Sequence, residues 1–89
     1  MPTIAFTSNL RRHVDCPGAS VDGATVAECL ASYFVIHPPV RTYVLDEQGR
    51  VRRHVAVFLD GEQIRDLHTQ SDPVEAASEI TVMQALSGG

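Results

Sequence analysis

The sequence predicts an α+β fold in which one main helix packs on a mixed sheet, and two observations carry this. Val26, Cys29, Leu30, Tyr33 and Phe34 recur at helical spacing and form a single apolar stripe. Strand-like runs flank that stripe on both sides, at Thr3–Thr7 before it and at Arg53–Leu59 and Glu79–Leu86 after it. A helix with one apolar face must bury that face against a second layer, and strands from both flanks supply it.

Taken in order, Thr3–Thr7 (TIAFT) places Ile4 and Phe6 on one face of a first strand. Residues 9–14 read as a polar connection with Leu10 as its anchor in the core, and Pro17-Gly18 marks a turn into a short return strand at Ala19–Val21. Thr25 and Glu28 have the spacing of a capping box, which starts the helix at Val26; it runs to about Val35 and is stopped by Pro38-Pro39. Val40, Tyr43 and Val44 suit a further turn or two of helix, and Asp46–Gly49 a turn. The clearest strand, Arg53–Leu59, alternates Val55, Val57 and Leu59 inward with His54, Ala56 and Phe58 outward, and closes at Asp60-Gly61. Ile64 and Leu67 are the apolar points of the next segment, and residues 69–78 read as a loop. The last strand turns Ile80, Val82 and Leu86 inward and Thr81 and Met83 outward. Phe58 and Met83 then share the outer face and predict an exposed apolar patch for a partner.

The 89 residues suffice for a single domain, 1–89, ending in a flexible Gly88-Gly89 tail. Eleven acidic side chains against seven arginines give a net charge of −4, which argues against a protein that tracks nucleic-acid phosphates. None of the basic residues is lysine, so the chain offers no side-chain amine as an acceptor. The cluster Arg50, Arg52 and Arg53 reads as a solvated face or as a docking site for an acidic partner. No apolar run approaches the length of a membrane span and no leader pattern is present, so the expected location is the cytoplasm, with reduced thiols.

A catalytic centre is hard to assemble from these residues. His13, His37, His54 and His68 are scattered and unpaired with any serine or cysteine in a hydrolase pattern, and Gly18, Gly23, Gly49 and Gly61 are isolated turn residues rather than a phosphate loop. Cys16 and Cys29 lack metal-ligand spacing; Cys29 is expected in the core and Cys16 in a loop, where its thiol is a candidate for reactivity. The remaining chemical potential lies in the carboxylate after Gly88-Gly89. Without Cβ atoms these residues fit a slot too narrow for others. A carboxylate is a poor electrophile, so it must be activated by another protein's ATP site, and the chain is a reactant rather than an enzyme.

The segment Arg53–Arg65, then Asp72-Pro73, Glu79–Met83 and Ala85–Gly89, together with Leu10-Arg11 and Thr25-Val26, resembles the MoaD/ThiS family of ubiquitin-like sulfur carriers. That resemblance implies a β-grasp fold. It also implies adenylation of Gly89 by an E1-like enzyme using ATP and magnesium, conversion to a thiocarboxylate, and sulfide donation to a biosynthetic enzyme. Gly88 becomes the slender neck, and Leu67, Met83, Leu86 and Ser87 fall at partner-facing positions, to which strand alternation adds Phe58. No cofactor or metal is expected on the chain itself, and no nucleic-acid or membrane partner.

Two departures from the family pattern stand out. Ala76-Ala77-Ser78-Glu79 replaces a common Asp-Gly-Asp-Glu turn, and Gln84 stands where proline is frequent, which predicts a looser base for the tail. The stretch Arg50–Arg65 looks closer to carriers for cysteine or specialised-metabolite sulfuration than to the molybdopterin synthase small subunit. A protein modifier and a non-covalent β-grasp binding module are the other readings open to the sequence.

Overall fold

The computed structural model describes residues 1–84, so Leu86, Ser87, Gly88, Gly89 and the expected tail lie outside the described residues. Five strands, β1 (Thr3–Phe6), β2 (Ala19–Ser20), β3 (Val55–Leu59), β4 (Glu62–Gln63) and β5 (Glu79–Gln84), form one mixed sheet in the order β2-β1-β5-β3-β4. Helices α1 (Ser8–Arg11), α2 (Val26–Ile36) and α3 (Arg41–Val44) accompany the sheet among the described residues, α3 following a 3₁₀ turn at Pro38–Val40. β5 is central: it runs parallel to β1, with Ile4 opposite Ile80 and Phe6 opposite Val82, and antiparallel to β3, with Val57 opposite Val82 and Val55 opposite Gln84.

The α2 stripe is buried as its periodicity demands, and Val26, Cys29 and Tyr33 are fully enclosed. They meet Ile4, Phe6, Val57, Ile80 and Val82 from the sheet, with Leu10, Val40, Val44 and Ile64 closing the ends of the core. Each large aliphatic side chain so buried contributes about 1.5–3 kcal/mol. Val35 and Ile36 fall off the stripe and are exposed. The Tyr33 ring stacks between Phe6 and His37, with centroids 4.9 and 4.8 Å away, and its hydroxyl donates a 2.6 Å hydrogen bond to the Pro17 carbonyl. That bond ties the loop after α1 to the main helix.

The start of α2 confirms Thr25 as its cap, since Thr25 Oγ1 accepts from the Glu28 N–H at 3.2 Å. The reciprocal bond is displaced by one residue, because Glu28 Oε1 accepts from Ala24 N–H, and not from the cap residue, at 2.9 Å. Two further orphan donors of the first turn, Val26 N–H and Ala27 N–H, are taken by the carbonyls of Asp72 and Gln70. Gly23 lies against this turn; a Cβ there would sit 2.6 Å from the Cys29 nitrogen, so the close approach requires glycine.

Several expectations need correction. Residues 9–14 contain the short helix α1 rather than a plain connection, with buried Leu10 as the expected anchor. Strand β3 begins at Val55, two residues later than expected, because Arg53 and His54 form a turn closed by Val55 N–H to the Arg52 carbonyl. Residues 69–78 do form the expected loop, which is pinned at the start of α2, where Pro73 bridges to Thr25. Cys16 lies in a loop but is buried, and burial raises its thiol pKa, so it lacks the exposure and thiolate character of a reactive cysteine. The Asp60-Gly61 turn is as expected, with φ of 51° and 87°, the left-handed pair that Asp-Gly supplies to a tight hairpin.

Burial, followed by the neighbouring Cys16, pushes the Tyr33 phenol up to about 12. Because the folded state favours the neutral phenol, the associated stability is fully present below pH 10 and is lost as pH rises towards 12. Tyr33→Phe should cost about 1 kcal/mol at neutral pH through the lost hydrogen bond, and should remove this alkaline component. Urea unfolding of both proteins across the alkaline range measures both effects.

Candidate functional site

The base of the C-terminal segment is built by β5 and its two neighbours. Gln84 pairs with Val55 on one side, and its carbonyl accepts from Asn9 Nδ2 of α1 at 3.4 Å on the other. Thr7 N–H also donates to the Val82 carbonyl at 3.1 Å. Gln84 is thus paired at the end of the ladder, although its side-chain Oε1 and the Thr7 hydroxyl are buried without hydrogen-bond partners among the described residues; the tail, expected to have a looser base with glutamine in place of proline, lies outside them. Gln84 extends the ladder, a position at which proline has no N–H to offer.

The turn before β5 also forms without the usual glycine. Ser78 N–H donates to the Glu75 carbonyl, Glu75 N–H donates to Ser78 Oγ, and no residue of this turn has positive φ. The Ser78 carbonyl then accepts from Thr3 N–H, which starts the β1–β5 pairing.

Phe58 and Met83 do share the outer face of the sheet. Their registers place Met83 opposite Ala56 and Phe58 opposite Thr81, a diagonal pair across an open groove that reaches Gln84. Met83 is 41% exposed, whereas Phe58 is half-buried, its cross-strand partner being Gln63 of β4. The apolar surface is thus narrower than alternation alone predicts. Leu67 is 39% exposed but does not line this groove; its carbonyl accepts from Val51 N–H, which sets it beside the Arg50–Arg53 segment. Leu86, Ser87, Gly88 and Gly89, also expected at the site, follow the described residues.

The loop that carries Leu67 is organised by two carboxylates. Asp66 accepts from the N–H groups of His68, Thr69 and Ser71 and from the hydroxyls of Thr69 and Ser71, while Asp72 accepts from Arg65 and Asp66 N–H. Those bonds, the Ser71 and Thr69 hydroxyls foremost, hold the Asp66 carboxyl well below the usual range. Gln70, which sequence reasoning missed, is buried in the left-handed region at φ 52°. Its amide donates to the carbonyls of Gly49 and Leu67, and its own carbonyl accepts from Ala27. It joins helix, loop and turn. Glutamine has no particular preference for that backbone region, so composition gave no signal for it.

At the edge of the groove, Arg52, Arg53 and His54 are exposed. Arg52 Nε donates to the Thr42 carbonyl at 2.6 Å, and Arg50 pairs with Asp46 at 3.3 Å. Among the described residues, no group of three or more His, Cys, Asp or Glu is placed to hold a metal ion, and no helix is long and apolar enough to cross a membrane.

The sequence model of the ThiS family matches residues 13–89. The chain belongs to the ThiS family. It is a ubiquitin-like sulfur carrier of that group, with the β-grasp fold. Among solved structures, it is similar to the Amycolatopsis orientalis BexX/CysO complex, at 22% identity over 100% of both chains, with a TM-score of 0.83. SAMP1 of Haloferax volcanii is 24% identical over 99% of this chain and 98% of that one, with a TM-score of 0.78. CysO of Mycobacterium tuberculosis is 17% identical over 97% and 100% of the two chains, with a TM-score of 0.80. A search of curated proteins returns no significant match.

Because its folded pKa is depressed, Asp66 contributes stability that is present above the ordinary carboxylate pKa of about 4 and is lost as pH falls through the folded value. Protection of the Thr69 and Ser71 amides from exchange, measured against the intrinsic rate at each pH, should therefore fall in acid. Asp66→Asn should show the lower protection already at neutral pH, with a weakened acid dependence.

Proposed function

We propose that this protein is a cosubstrate whose Gly89 carboxylate is activated and loaded with sulfur by partner enzymes. The supporting observation is that the family match runs through the Gly88-Gly89 pair, which in sequence follows the central strand, ending at Gln84, after three residues. A carboxylate oxygen of Gly89 attacks the α-phosphorus of ATP in the site of an E1-like enzyme, and pyrophosphate leaves. Hydrosulfide then attacks the acyl carbon; AMP departs with the bonding electron pair, leaving a thiocarboxylate. ATP and magnesium belong to the partner, since the chain has no phosphate-binding loop of its own. Gly88 provides the narrow neck, and Met83, Phe58, Leu67, Leu86 and Ser87 face the partner. The thiocarboxylate then donates sulfide to a biosynthetic enzyme, in a cytoplasmic setting.

Cysteine or specialised-metabolite sulfuration is the favoured destination over molybdopterin synthesis, a choice supported by the CysO proteins among the similar structures. A second reading, protein modification, draws on the small archaeal modifier proteins in the same comparison. In that reading, conjugates are single units as far as side chains are concerned, because all seven basic residues are arginine. Gly-Gly remnants on target lysines would identify it.

Deleting Gly88 and Gly89, or adding one alanine after Gly89, should reduce ATP–pyrophosphate exchange by the E1-like partner to background and leave the thermal midpoint unchanged. Full exchange by either variant would overturn the proposal.

A further inference from the structure

Charge on this acidic protein is unevenly placed along the β3–β5 pair. At the Gln84 end stand Arg52, Arg53 and His54, which border the same groove as Gln84 and Val55. At the other end, where Leu59 faces Ile80, the exposed side chains are Asp60, Glu62 and Glu79. The paired strands hold these two ends about 14 Å apart. With a net charge of −4 overall, the cationic end is a local exception rather than the general character of the surface.

The acids near that end do not cancel it. Asp46, in the same groove, is occupied by the Arg50 guanidinium and by the N–H groups of Gln48 and Arg50. Arg52 is fixed by its bond to Thr42, and Arg53 makes no ion pair among the described residues. Both guanidiniums keep donors for a partner in the planar geometry that suits carboxylates.

Resting on the carrier reading above, we propose that Arg52 and Arg53 form a cationic collar, with His54 as a neighbouring hydrogen-bond donor, that seats against a carboxylate-lined rim on the E1-like partner, at the mouth of the channel receiving residues 85–89. Five residues reach at most about 17 Å when fully extended. The collar therefore contacts the channel mouth rather than the reacting phosphate, and places the acidic rim within that distance of the adenylating centre. The acidic far end of the strand pair opposes docking in the reverse orientation, so the collar acts on encounter and register more than on chemistry.

The test is calorimetric binding to the purified E1-like enzyme without ATP, at low and high salt, with ATP–pyrophosphate exchange measured in parallel. Arg53→Glu and His54→Glu should each raise Kd about fivefold at low salt, with kcat for exchange unchanged. Arg53→Lys should retain most of the affinity, Glu62→Arg at the far end should bind as the wild type does, and polyglutamate should compete. Arg53 is exposed and makes no ion pair among the described residues, so these proteins should fold normally, which their thermal midpoints check. Wild-type affinity in Arg53→Glu and His54→Glu, binding indifferent to salt, or competition by a short DNA instead of polyglutamate would overturn the collar. Collar-dependent binding without any exchange would uphold it while contradicting the adenylation reading.

Discussion

Pairing of β5 along both edges is the constraint on which the rest of the structure depends. Its backbone groups are satisfied by parallel β1 and antiparallel β3, and its inward residues Ile80 and Val82 are buried in the core. A strand held in this way can leave its native register only if the two halves of the sheet separate, so Gln84 has a fixed position relative to the domain. Asn9 and Val55 secure that point from opposite sides. The segment carrying Gly88 and Gly89 thus starts from the best-supported strand of the sheet.

Around that strand, the chain uses loops to finish what the helix and sheet leave open. The carbonyls of Gln70 and Asp72 satisfy donors at the start of α2, while the carboxylates of Asp66 and Asp72 hold the intervening backbone. The loop therefore caps the main helix and presents Leu67 at the same time. Such coupling explains how a long segment with little regular structure stays ordered beside the site.

The main helix, the core stripe and strands β1, β3 and β5 were legible because each rests on a period that the side chains repeat several times. Asp60-Gly61 was legible because its chemistry matches one turn geometry. What could not be read depended on contacts distant in sequence. Burial of Cys16 follows from packing near Tyr33, and the role of Gln70 from three partners in separate segments; the one local exception is the Glu28 bond, displaced by one residue to Ala24 N–H. Outward alternation correctly put Phe58 and Met83 on one face, but it could not register the covering of Phe58 beside Gln63.

As proposed, recognition belongs to the folded domain and chemistry to one carboxylate. In the proposed function, the groove bearing Met83 and the cationic end dock the partner, and Gly89 enters that partner's active site. The most direct measurement is the intact mass of the protein after incubation with its E1-like enzyme, ATP, magnesium and sulfide. The account predicts a gain equal to the difference between one sulfur and one oxygen atom, localised to Gly89 by fragmentation. An unchanged mass, with an enzyme that demonstrably adenylates the protein, would contradict it.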